Sequence, residues 1–245
     1  MKLFSRAGAT PKTRLRLCCD VHMVEADVLL RGGRGDPILA HPPDTDSDIT
    51  LQEWLAEMVS TNKGIKLDFK SLGAVGPSLE LLSRLRRALE RPVWLNGDVL
   101  PGPRGGRPPL DARAFLAAVA SSCPAATLSL GWTTGCHRGQ GYAWPMVQEM
   151  SRLCQPLSQP VTFAVRAALV PSSVPQLQWL MQQSHRSVPA LTCPDQLVSA
   201  CIKHSTFMCP CSSRWPWKCF CLRFFISLRS HSDSSDRRSL LISLK

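Results

Sequence analysis

From residue 22 to residue 184, short stretches with period-two alternation of apolar residues are separated by stretches with helical spacing, and the pattern recurs five times. Strands that alternate with helices in this way fold into β/α units, because parallel strands need a long crossover between them. The expected class is therefore α/β with a mostly parallel sheet. The predicted strands are 22–31, 65–69, 92–98, 126–131 and 160–166, with a short return strand at Pro37–Ala40 after a turn at Gly32–Gly35. The predicted helices start at Thr50, Gly76, Asp111, Tyr142 and Val174 and end near Thr61, Leu89, Cys123, Gln155 and Ser184. Thr50 and Glu53 form a capping box, Asp111 is a further N-cap, and Gly64 is placed for a left-handed helix end.

Polar residues interrupt this apolar pattern in a regular way. Glu25 and Asp27 lie two apart and share one strand face, with Val24, Ala26 and Val28 on the other. Lys66, Asp68 and Lys70 share a face opposite Ile65, Leu67 and Phe69, and Asn96 and Asp98 repeat the arrangement on the next strand. Trp132 and Arg166 stand near the ends of the two strands after that. Carboxylates on one face repel each other and lose hydration unless a cation or hydrogen-bond donors lie between them. One reading is a metal-assisted site; the other is a solvated edge strand whose acids meet only water. Polar pairs on three successive strands favour a shared pocket at the C-terminal strand ends, where barrels of β/α units place their chemistry. His41, at the close of the return strand, is positioned to reach that end.

The length of 245 residues, 44% of them hydrophobic, suffices for one sizeable core. No apolar run approaches the roughly eighteen residues of a membrane span, and residues 1–20 lack the apolar stretch of a secretory leader. Taken alone, these signals describe a cytosolic chain with reduced thiols. The net charge of +11 raises nucleic acid as a partner, but its distribution excludes that class. Residues 1–20 hold five Lys/Arg against one acid and residues 187–245 hold eight against three, whereas 21–186 holds sixteen against fourteen. A nucleic-acid-binding domain concentrates its charge within the fold.

These shifts divide the chain into an atypical N-terminal segment at 1–20, a β/α domain at 21–186 and a basic tail at 187–245. The tail holds six of the eleven cysteines and is expected to be disordered. Its Cys209-x-Cys211 and Cys219-x-Cys221 pairs lack the spacing of zinc knuckles. Ser129 and His137 lack a nucleophile elbow, and Gly102–Gly106 lacks the Gly-Lys-Ser/Thr of a phosphate loop.

The runs HMVEADVLL, ILAHPPDTDSDITLQEWL, NKGIKLDFKSL, RPVWLNGDVLPGP, SLGWTTG and SQPVTFAVRAALV, spread between His22 and Arg186, closely resemble the menorin family. That family is similar in turn to glycerophosphodiester phosphodiesterases and spider-type phospholipases D, which are TIM barrels with one divalent cation. The resemblance implies that Glu25, Asp27 and Asp68 hold Mg²⁺ or Ca²⁺. It further implies that His41 acts as general acid or base on the leaving oxygen and that Lys70 holds a phosphate oxygen. Lys66, Asn96, Asp98, Trp132 and Arg166 are the remaining pocket candidates. The implied fold is an incomplete TIM (β/α) barrel, roughly strands two to six, with irregular ends. The implied substrate is a glycerophosphodiester or lysophospholipid, and the implied setting of relatives is extracellular.

One departure bears on activity. The related phosphodiesterases carry a further histidine on the first strand, and residues 1–20 hold none. His22, three residues before Glu25 on the same strand, does not replace it. The chain is therefore expected to be a truncated or alternative form with impaired catalysis. The alternatives are a non-catalytic extracellular module that binds a protein partner, and a product with no folded function.

Overall fold

Parallel strands joined through helices dominate the chain, as the alternation requires. The computed structural model describes residues 4–7, 23–85, 91–135, 140–183 and 223–227. The strands are β1 (Phe4–Ala7), β2 (Met23–Leu30), β3 (Pro37–Leu39), β4 (Gly64–Phe69), β5 (Val93–Pro101), β6 (Thr127–Thr133), β7 (Val161–Arg166) and β8 (Arg223–Ser227). The helices are α1 (Leu51–Val59), α2 (Val75–Leu85), α3 (Ala112–Ser122), α4 (Trp144–Cys154) and α5 (Val174–Gln183). Strands β2 to β7 and the five helices make a mixed α/β unit with a mostly parallel sheet.

The strand order is β1-β2-β4-β5-β6-β7-β8, and β3 returns antiparallel along the C-terminal half of β2. β2, β4, β5, β6 and β7 pair in parallel, each with the next. At the edges β1 lies parallel to β2, and Arg223–Ser227 of the basic tail lie antiparallel to β7. Cys18, Cys19, His22, Leu89, His137 and the cysteine pairs of the tail lie outside the described residues.

One face of the sheet and the helices form the main core. Val24, Ala26 and Val28 of β2, Leu67 of β4 and Leu128 of β6 are fully buried in one cluster with Leu51, Trp54, Leu55 and Met58 of α1. Full burial of each Leu or Val side chain is worth about 1.5–3 kcal/mol. The other face is also shut off from water: every residue of β4 and the first seven of β2 are buried. Burial on both faces is the usual condition of parallel strands. Among the described residues, no helix is long and apolar enough to cross a membrane.

Local signals at the helix starts are realised. The Thr50 hydroxyl accepts from the Glu53 amide at 3.2 Å and the Thr50 amide donates to Glu53 Oε2 at 2.8 Å, closing the capping box of α1. Asp111 caps α3 by accepting from the Ala114 amide at 3.0 Å. Gly64 behaves otherwise than expected. α1 ends earlier, at a right-handed Ser60, and Gly64 instead opens β4. A Cβ there would lie 3.0 Å from both Met23 Cγ and the Pro92 carbonyl oxygen, so close strand packing is what favours glycine. The expected turn after β2 does use left-handed glycines, Gly32 and Gly33, with φ of 55° and 81°.

Candidate metal centre

The polar face of the sheet is built by register. Asp27 pairs with Asp68, Asp68 with Asn96, Asn96 with Ser129, and Ser129 with Thr162, so five neighbouring strands contribute one polar residue each at a single level. One level back along the strands, Glu25 pairs with Lys66. Adjacent strands lie about 4.8 Å apart, so level residues on the same face come within reach of one another. Glu25, Asp27, Lys66, Asp68, Asn96, Ser129 and Thr162 are all buried.

The carboxylates of Glu25, Asp27 and Asp68 each offer an oxygen, and the three oxygens lie within 4.8 Å of one another. Oxygens bound to one Mg²⁺ or Ca²⁺ at about 2.0–2.6 Å cannot be much farther apart than this. The donor set is all oxygen, which suits a hard cation and not zinc. Three carboxylates so close and so far from water need positive charge among them, and two lysines supply part of it. Lys66 Nζ donates to Glu25 Oε1 at 3.2 Å, with both side chains fully buried. Lys70 Nζ stands 2.9 Å from Asp27 Oδ1 and 2.6 Å from Asp68 Oδ2. Three acids and two ammonium groups leave one formal negative charge. A divalent cation would turn this into one positive charge, the complement of a phosphodiester monoanion.

Asp68 is held from its other side. Asn96 Nδ2 donates to Asp68 Oδ1 at 2.7 Å, and Ser129 Oγ donates to Asn96 Oδ1 at 2.7 Å. Asp98, half-buried, lies two residues beyond Asn96 and opposite Gly131, where any Cβ would collide with Asp98 Oδ1. The pairing of β5 with β6 shifts between Asp98 and Leu100, an irregularity of the kind that re-aims side chains at strand ends.

The remaining predicted residues divide. Arg166 is buried at the end of β7, four residues beyond Thr162 and so on the same face by alternation. Its amide donates to the Tyr142 hydroxyl at 2.9 Å. His41 lies two residues past Leu39, which pairs with Val28. Its Nδ1 is 2.6 Å from the Pro42 carbonyl oxygen. That oxygen can only accept, so Nδ1 carries the hydrogen and Nε2 keeps the lone pair in the neutral ring. Trp132 does not join the polar face. Its ring packs against Tyr142 and Phe163, with centroids 4.8 and 6.4 Å away, within the helix-facing core. Its place near a strand end allows either a pocket wall or a core position, and three residues after Ser129 it falls on the opposite, core face.

Ser129 and Thr162 belong to the polar level although no chemistry-bearing motif marks them. The signal that finds them is the cross-strand register, not any residue pattern within β6 or β7.

The sequence matches the Menorin N-terminal domain over residues 9–196. It is 53% identical over 189 residues to Protein FAM151B of Homo sapiens, a stretch covering 75% of this chain and 68% of that protein. No solved structure matches it.

Proposed function

This chain belongs to the menorin family, and from that premise we propose that its polar face is a divalent-cation site for binding and hydrolysing phosphodiesters. The observation that carries the reading is the cluster of three buried carboxylates whose oxygens lie within 4.8 Å of one another, with two lysines beside them. Glu25, Asp27 and Asp68 would hold Mg²⁺ or Ca²⁺. When bound, the ion would supply Lewis-acid polarisation of a phosphoryl oxygen.

The chain's own groups do the rest. Lys66 fixes the Glu25 carboxylate from one side. Lys70, beside Asp27 and Asp68, offers its ammonium protons to a phosphate oxygen entering at that point. His41 Nε2, once protonated, gives its proton to the leaving oxygen as that oxygen's bond to phosphorus breaks and water forms the new P–O bond. The implied substrates are glycerophosphodiesters or lysophospholipids. Sequential strand order without a reversal supports a barrel-type winding, as opposed to a doubly wound sheet with its switch point.

The test is hydrolysis of a glycerophosphodiester and of a lysophospholipid in Mg²⁺ or Ca²⁺ by the full chain and by Glu25→Ala. Weak turnover in the wild type, in keeping with the impaired catalysis expected above, that falls by at least tenfold in the variant is the predicted result. Equal turnover in both would remove these residues from the chemistry.

One observation favours a second reading. Lys70 already lies between Asp27 and Asp68, so the network closes as ion pairs without a metal. The domain would then be a non-catalytic, extracellular binding module that meets a protein partner through its outer surface. A folded sample whose melting midpoint ignores millimolar Mg²⁺ and Ca²⁺ would favour this reading.

A further inference from the structure

The chain of hydrogen bonds that ends on Asp68 starts two strands away, at a serine that neither the proposed reaction nor any motif uses. Its direction follows from donor and acceptor capacity. An ionised carboxylate only accepts, so Asn96 must turn its NH₂ toward Asp68 Oδ1, at 2.7 Å. The Asn96 carbonyl then faces Ser129, whose hydroxyl must donate to it, also at 2.7 Å. The flipped amide would set two acceptors against each other at that distance. The run from Ser129 through Asn96 to Asp68 therefore has one allowed polarity.

Burial makes this costly to keep without a purpose. Ser129 and Asn96 are both 0% exposed, and Ser129 stands between Leu128 and Leu130 on β6. An apolar core residue would remove the need for any partner, whereas half a polar network is worse than none. What the network accomplishes is orientation. One oxygen of Asp68 is committed to Asn96, and the other faces Lys70 at 2.6 Å. The plane of the carboxylate is thus set from β6, across β5.

We infer that Ser129 and Asn96 are positioning residues, a two-step relay that orients Asp68 for the divalent cation. This rests on the cation site proposed above. Partners behind a metal ligand typically govern metal affinity by about 10–100-fold. Asn96→Ala is expected within that range and Ser129→Ala near its lower end. Because Ser129 acts only through Asn96, its removal adds nothing once Asn96 is gone.

The experiment is calorimetric titration of Mg²⁺, and separately of Ca²⁺, into the full chain, Asp68→Asn, Asn96→Ala, Ser129→Ala and the double variant Asn96→Ala/Ser129→Ala. Metal-free melting of each checks that it folds. Ser129→Cys keeps the size and a weaker donor, so it serves if Ser129→Ala does not fold, with affinity expected between wild type and Asn96→Ala. A loss in Ser129→Ala that vanishes in the Asn96→Ala background supports the relay. Unchanged affinity in Ser129→Ala, or a loss that adds in full to that of Asn96→Ala, overturns it while the cation site stands. A wild type that binds neither ion, or an Asp68→Asn variant that binds as tightly as wild type, overturns the cation site itself and the relay with it.

Discussion

The two faces of the sheet are made from the same strands, residue by residue, and both are buried. In β4, Ile65, Leu67 and Phe69 point into the helix-packed core, while Lys66 and Asp68 between them point into the polar network, and all five are at most 2% exposed. Removal from water therefore has opposite consequences in alternate positions of one strand. On the helix side it is the source of stability. On the polar side it is a debt that only pairing offsets, and buried ion pairs seldom gain over apolar residues of the same size. The difference teaches that the polar face is not explained by folding. A sheet that needed only to fold would be apolar on both sides.

Interventions on alternate residues should break or sharpen this contrast. The largest effect is expected from Lys66→Met, which leaves Glu25 buried beside the other acids. It should cost about 3–5 kcal/mol in denaturant unfolding, and adding Glu25→Gln should restore most of the loss. If Lys66→Met alone is neutral, the polar face is not energetically distinct. Next to it, Leu67→Ala should cost about 2–5 kcal/mol, and no second-site change on the polar face should rescue it, since a cavity and not a lone charge is the cause.

Away from both faces, loss of the Thr50 cap in Thr50→Ala should cost about 1 kcal/mol. The cap has an acid dependence of its own. Hydrogen bonds from the Thr50 backbone, and then its side chain, hold the Glu53 carboxyl below its ordinary 4.5. A lowered folded-state value means the contribution is complete above 4.5 and fades as pH falls through the lower value. Unfolding titrations of wild type and Glu53→Gln should therefore converge in acid and separate at neutral pH. The smallest effect is at Cys154 of α4, where burial pushes the thiol up to about 12. Alkylation at pH 8, read by peptide mass mapping, should spare Cys154 until denaturant is added. Fast labelling in the folded protein would show that end of α4 to be less packed than described.

How much of this is legible in the sequence depends on whether a feature is local to one strand. The shared face of Glu25 and Asp27, and that of Lys66, Asp68 and Lys70, follows from alternation alone. So do the Thr50–Glu53 box and the Asp111 cap, each complete within four residues. Features that depend on which residue lies level with which were not readable. Thr61-Asn-Lys-Gly64 has the look of a helix end, yet Gly64 answers to Met23 and Pro92 on other segments. Counting along β6 gives the face of Trp132, but not that its ring packs on Tyr142 and Phe163 from other segments. Ser129 itself gains meaning only when β6 is set against β5 and Asn96. Register is a tertiary property, and alternation specifies faces without specifying levels.

The proposed site requires Glu25, Asp27 and Asp68 to share one divalent ion. Its most direct test is a thermal melt of the full chain with and without millimolar Mg²⁺ or Ca²⁺, run beside Asp27→Asn/Asp68→Asn. A midpoint that rises with metal in the wild type and stays fixed in the double variant is the predicted result. A wild-type midpoint indifferent to both ions, or one that rises equally in the variant, would contradict it.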